Sequence, residues 1–340
     1  MKRKFIHGYL ILLAALLLAA ACHKTPEAPE EPGTEICLSV STAQPVETRI
    51  TTIDNDVELS INFVRVDAFF HGTTTSLFSN AQLRYRAYTD RWEFYSTSAS
   101  DWAHFYWPIE GSVYEPVGTV NSLDFVGYVP YTPPGEISLN DYSASNGPSF
   151  SAVLPYTSGT PNTFTETDQA PIREFMYAYV PDQTKDTNSG TVNLEFQHPF
   201  ALVNIYLKSA KRGTVINSVH LGGIKTSGTF VQHTGWGSLG TEATLSKTVG
   251  KTVPGQLNFD SLIGGPYMVI PQTLSGSNNL TVNQTYNAST GDISGTINTT
   301  WEPGHIYSYY LDLGADSGRI LVDVVVEAWQ AHTVPTIDVK

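Results

Sequence analysis

Helical periodicity is nearly absent from the chain beyond residue 22, and that absence constrains the fold more than any motif does. Gly, Pro, Asn, Ser and Thr interrupt the sequence every eight to twelve residues or so, and short β-branched and aromatic runs lie between them. ICLSVSTA (Ile36 to Ala43) alternates apolar and polar residues, and VELSINFVRVDAFF alternates from Val57 to Phe63 before switching face at Val64. TVNLEFQHPFALVNIYLK alternates through Val192, Leu194 and Phe196, then changes register beyond Pro199, as a bulge or sheet edge requires. Near the C-terminus RILVDVVVEAW places Ile320, Val322, Val324 and Val326 on one face. Many short strands at this spacing predict an all-β protein built from β-sandwiches. The polar, turn-rich stretch VPDQTKDTNSG (Val180 to Gly190) is the best boundary, dividing the chain into an N-terminal sandwich over 35–183 and a C-terminal one over 184–340.

The first residues say where such a fold works. Lys2, Arg3 and Lys4 precede an unbroken apolar run from Tyr9 to Ala21, and Cys22 follows three alanines. This is the layout of a secretory signal peptide over residues 1–21. A cysteine directly after the small residues marks a bacterial lipoprotein, acylated at Cys22. An ordinary signal peptide or a membrane anchor shares the basic head, but the run is short for a membrane span. Residues 22–34 are rich in Pro and Glu and lack apolar periodicity, so they read as a solvated tether. The acidic residues after Cys22 resemble the surface-export signals of Bacteroidetes lipoproteins; a plain spacer has the same composition. The expected location is the outer membrane, facing the cell surface.

Loss of Lys2, Arg3 and Lys4 with the signal peptide moves the formal charge from -13 to -16. So acidic a chain has no electrostatic footprint for nucleic acid. Its two cysteines are Cys22, consumed by lipid, and Cys37, so disulfides do not hold the fold together.

Catalytic and metal motifs are weak. GWGSLG (Gly235 to Gly240) matches the dinucleotide glycine pattern, but the Thr-rich segment behind it is not helical, and a glycine-rich β-turn fits better. The nine histidines show no metal spacing, and His198 reads as a hydrogen-bonded structural residue within an apolar strand. No pair of acidic residues suggests acid–base work, so neither an enzyme nor a cofactor or metal site is expected. Asp260-Ser261-Leu262 resembles a Bacteroidetes O-glycosylation triplet, though the pattern is short. The aromatics of residues 92–107, with Trp92 and Trp102, and also Trp236, suit either a core or a sugar-stacking platform.

Several segments then resemble one family in order. They are YWPIEGSVYEP and LDFVGYVPY between Tyr106 and Tyr131, FMYAYV (175–180), VNLEFQHPFALVNIYL (192–207), LGGIKTSGTF (221–230), YMVIPQT (267–273) and WEPGHIYSYYLDL (301–313). Together they resemble the fimbrillins, lipoprotein pilus subunits of Bacteroidales. The resemblance implies two tandem transthyretin-like, Greek-key β-sandwich domains and a non-enzymatic role in a surface fimbrium that supports adhesion. It also implies an assembly route, in which a protease cuts after an arginine, the first β-strand leaves, and another subunit's C-terminal strand fills the groove. On this chain the removable strand is residues 36–43, the cut lies between Arg49 and Ile50, and the donor lies within 319–340, with Ile320, Val322, Val324 and Val326 as its apolar face. The expected partners are other fimbrial subunits, in a homo- or hetero-polymer, and the outer membrane through the Cys22 lipid before processing, with a host or bacterial surface ligand beyond them. A stalk or accessory (tip) subunit fits these features better than an anchor. The alternative is a surface glycan-binding lipoprotein that presents Trp92, Trp102 or Trp236.

Overall fold

The computed structural model describes the chain between Thr34 and Trp329, apart from residues 43–62, 87–88, 90, 97, 109–121, 155–161, 164–174, 241, 254–260 and 315–318. The described residues form β-strands and one short 3-10 turn at Thr187–Gly190, with no α-helix among them. The all-β expectation holds. In chain order the strands are β1 (Cys37–Thr42), β2 (Phe63–Phe70), β3 (Ser76–Arg86), β4 (Arg91–Ser96), β5 (Asp101–Ala103), β6 (Leu123–Val129), β7 (Ile137–Leu139), β8 (Ser149–Val153), β9 (Asn162–Thr163), β10 (Met176–Gln183) and β11 (Thr191–Phe196). They continue as β12 (Ala201–Ser209), β13 (Val215–Lys225), β14 (Ser227–Val231), β15 (Gly235–Gly237), β16 (Glu242–Thr252), β17 (Ser261–Val269), β18 (Thr273–Leu274), β19 (Leu280–Tyr286), β20 (Ser289–Gly295), β21 (Thr299–Thr300), β22 (His305–Asp312) and β23 (Leu321–Ala328).

The first sheet runs β10-β6-β2-β3-β4-β1-β11, with β5 beside β4. Its ends meet: Tyr177 and Gln197 exchange backbone hydrogen bonds of 3.1 and 3.0 Å, so the sheet closes over its own core. That core contains Val64, Val66, Leu83, Phe94, Phe125, Leu194 and Phe196. Gly127 is required where β6 passes β11, because a Cβ there would lie 2.7 Å from Phe196 Cζ.

A second core fills the space between the sheet β17-β12-β22-β23 and the sheets β20-β19-β13-β16-β9 and β15-β14-β8-β7. Its largest fully buried side chains include Trp301, Tyr309 and Tyr267, with the Trp301 Nε1–H donating to the Tyr309 hydroxyl at 2.9 Å. β6 is buried along its whole length because its two faces serve different cores: Phe125 and Val129 point into the first, Val126 and Tyr128 into the second.

These cores cut the chain differently from a boundary at 183/184. β11 lies beyond that boundary yet completes the first sheet beside β1, while β7 and β8 lie before it yet belong to the sheet of β14, in which β8 pairs with β14 and β7 with β8, around the second core. The change of register seen around Pro199 is a passage between sheets, from β11 in the first to β12 in the second.

Candidate assembly surfaces

Two strands stand out, one at each end of the described chain. β1 occupies an interior place in the first sheet. It runs parallel to β11 through six pairs, Cys37↔Thr191 to Thr42↔Phe196, and touches β4 at Leu38↔Trp92. Alternation sends Ile36 and Leu38 into the core and turns Cys37 to solvent. The chain before β1 is also tied in: Ile36 N–H donates to Phe105 O and Trp107 N–H to Thr34 O, both at 2.8 Å. Removing this strand takes two buried side chains, about 1.5–3 kcal/mol each, and bares the backbone edges of its neighbours.

β23 is its opposite. It is the edge of its sheet and pairs antiparallel with β22, from His305↔Ala328 to Asp312↔Leu321. Val322, Val324 and Val326 lie opposite Leu311, Tyr309 and Tyr307, all three of which are core residues. Core-side orientation does not bring cover: Val324 is 47% exposed and Val326 48%, while Leu321 and Val325 on the other face are 56% and 45% exposed. Seating is confined to the two ends, Ile320 with the half-buried Val322 at one and Trp329 at the other. Ile320 is buried against Gly295, where a Cβ would come within 2.9 Å of the Ile320 Cβ. At the far end the Trp329 indole lies parallel to the His198 imidazole, with centroids 4.1 Å apart and planes at 6°. An exposed ion pair, Lys208 Nζ to Asp323 Oδ2 at 2.6 Å, crosses the middle. Such a pair is worth little in water. Of the four predicted donor-face residues, Ile320 is thus buried, Val322 is half-buried, and Val324 and Val326 point to the core side but remain about half exposed.

His198 is a core histidine with an unusual cap. Burial pushes its imidazole pKa down to about 3, partly offset by a hydrogen bond to the Phe175 backbone, while Nδ1 has no partner.

The three candidate ligand aromatics are not brought together. Trp236 donates its Nε1–H to Pro199 O at 2.6 Å and packs among Phe150, Phe200 and Phe230 at the second core. Trp92 packs against the first core beside Tyr85. Trp102 sits on the outer face of that sheet, edge-on to Tyr95, with the Arg86 guanidinium 4.7 Å above its ring. Ser261 of the glycosylation-like triplet is buried and accepts from Lys251 Nζ. GWGSLG opens with β15, hairpinned onto β14. Cys22, Arg49 and Ile50, together with the signal peptide, most of the tether and residues 330–340, lie outside the described residues.

One cluster escaped the sequence reading. Asp124, buried on β6, accepts from Tyr142 OH at 2.6 Å and from Asp182 N–H at 2.7 Å, and pairs with His71 Nδ1 at 2.7 Å. The hydrogen bond to Asp124 raises the His71 pKa. Desolvation, then the bond to Asp124, raises that of Tyr142. Nothing local marks these residues, which lie up to 111 positions apart and meet only because β6 and β10 separate the two cores.

Comparison with known proteins gives this architecture a family. No curated protein sequence matches the chain. A fimbrial protein from Bacteroides vulgatus ATCC 8482 has the same fold: TM-score 0.56 at 14% identity, covering 87% of this chain and 99% of that one. The tip fimbrial protein Mfa3 from Porphyromonas gingivalis aligns more loosely, at TM-score 0.38 and 10% identity over 79% of this chain and 94% of that one. The sequence model described as fimbrillin-like matches residues 54–329, most of the chain, and by that match the protein belongs to the fimbrillin-like family.

Proposed function

We propose that the chain is a structural subunit of a cell-surface fimbrium, exported as a lipoprotein on Cys22 and joined to other subunits by strand exchange. In this reading cleavage between Arg49 and Ile50 removes the lipid, the tether and β1 together, and β23 with the residues after it fills the vacated place in a neighbouring subunit. The contrast between the two strands carries the reading. β1 is an interior strand whose loss opens a groove between β4 and β11, and β23 is an edge strand most of whose apolar residues are already about half exposed. Backbone ladders give strand addition its affinity, and alternate side chains entering the groove give it specificity. A subunit with both a groove and a donor is a stalk or accessory subunit rather than an anchor. Family membership, with the fold shared by a fimbrial protein, supports the fimbrial part of this reading.

The test is to purify the lipid-free chain from residue 23 onward, treat it with an Arg-specific protease and run it unboiled in SDS. Ladders are expected from the cut chain and not from the uncut one. Clean cleavage after Arg49 that leaves only monomers overturns the proposal. A ladder that survives deletion of residues 319–340 overturns the assignment of the donor.

A further inference from the structure

We infer that Trp329 is the latch that keeps β23 on its own subunit, with the His198 imidazole as its seat. The inference rests on the strand-exchange reading and adds how the donor is retained until it is needed.

Little holds β23 along its middle. Its central residues leave roughly half their surface in water, so little apolar burial is lost if they lift away. The ladder to β22 remains, but an edge ladder alone opens easily, because water satisfies the freed groups. Retention therefore concentrates at the two flanks. At one of them Ile320 fits over Gly295, and the Ile320 N–H reaches Ser294 O at 3.5 Å, a long and weak bond. At the other, contacts are short and consecutive. Trp329 N–H donates to Gly304 O at 2.6 Å, Gly304 N–H donates to Phe200 O at 2.8 Å, and Trp236 Nε1–H donates to Pro199 O at 2.6 Å. These bonds fix the segment carrying His198, so the imidazole presents a rigid, flat surface to the indole.

Covering the seat costs no charge: the buried imidazole is neutral, and its face stacks on the indole. The latch stands at the end of β23 that continues into residues 330–340, the end from which the strand must peel if those residues lead the way to another subunit. The sequence has a matching pattern: Trp329 is the one aromatic residue after Tyr310, and it follows the valine run directly.

Amide hydrogen exchange on the uncut chain, a measurement on the monomer, tests this directly. Trp329→Ala should speed exchange across 321–328 about tenfold or more, the factor that losing ~1.4 kcal/mol of seating corresponds to. Trp329→Phe, which keeps a smaller ring over His198, should fall between that variant and the natural chain and guards against a misfolded alanine variant. Exchange in β12, β17 and β1 should stay the same. Unchanged protection of 321–328 in both variants overturns the inference. So does a loss of protection spread equally over β12 and β17, since Trp329 is then an ordinary core residue. The assembly reading fails separately, if the cut natural chain forms no ladders.

Discussion

His198 makes stability depend on pH in a direction and amount that follow from its surroundings. Burial holds its pKa at about 3, against about 6.5 for an exposed histidine. The folded chain therefore binds fewer protons here than the unfolded one, and acid favours any state that exposes the ring. The contribution is fully present above pH 6.5 and is lost progressively as pH falls from 6.5 toward 3. At pH 5 the exposed ring is protonated about thirty-fold in excess of its neutral form, which costs the folded state ~2 kcal/mol. That cost depends on the exposed-state pKa alone, as long as the folded value lies well below 5. The perturbation to make is His198→Gln, which removes the titration while keeping a donor for the Phe175 backbone. Urea unfolding of both chains at pH 7.5 and 5.0 gives the comparison, because every other titrating group is common to the two and cancels. The natural chain should lose ~2 kcal/mol relative to the variant between those pH values. Stability curves that run parallel from pH 7.5 to 5.0 would show that His198 does not take up a proton on unfolding in this range.

Other expectations follow from single contacts. Gly127→Val should cost about 1–3 kcal/mol through collision with Phe196, and Phe196→Leu in the same chain should recover part of it; additive unfolding energies would show that the two do not touch. Leu194→Ala, in a fully buried position, should cost about 2–5 kcal/mol, whereas Val325→Ala on the open face of β23 should stay within about 0.5 kcal/mol, both read as urea midpoints on the uncut monomer. Asp124→Asn should lower the His71 pKa measured by NMR, since the bond to Asp124 is what raises it. That pair stabilises the fold below pH 6.5 and stops doing so as pH rises through the elevated value, and an unchanged His71 midpoint in the variant would contradict the assignment.

Period-two patterning was enough to read the fold class and many strands, because it follows from the pleat itself. TVNLEF alternates in the sequence, and β11 alternates in burial, with Val192, Leu194 and Phe196 inside. The limits appear where a neighbour decides the outcome. The face of Val324 and Val326 is visible in RILVDVVVEAW, yet whether anything covers that face depends on where the opposing sheet ends. Parallel pairing of β1 with β11 joins residues 154 positions apart and leaves no local trace. The same holds for Trp329 on His198 and for the Asp124 cluster. Continuous burial of LDFVGYV reflects two cores sharing one strand, which an apolar run alone does not distinguish from a strand deep in a single core.

The energetics of the proposed exchange turn on β1 more than on β23. A donor gives up one ladder on its own subunit and gains ladders on another, so the hydrogen-bond terms largely offset. With Val324 and Val326 each already half in water, the apolar gain left to the donor is roughly half of 1.5–3 kcal/mol per side chain. Gains of that size cannot displace β1, which holds Ile36 and Leu38 in the core beside six registered pairs. They suffice only where the place is already empty and its exposed edges and core are unfavourable as they stand. A free peptide of residues 319–340 should therefore bind the chain cut after Arg49 and not the uncut one, as read by fluorescence anisotropy of a labelled peptide. Equal binding to both would place its site elsewhere than in the groove left by β1.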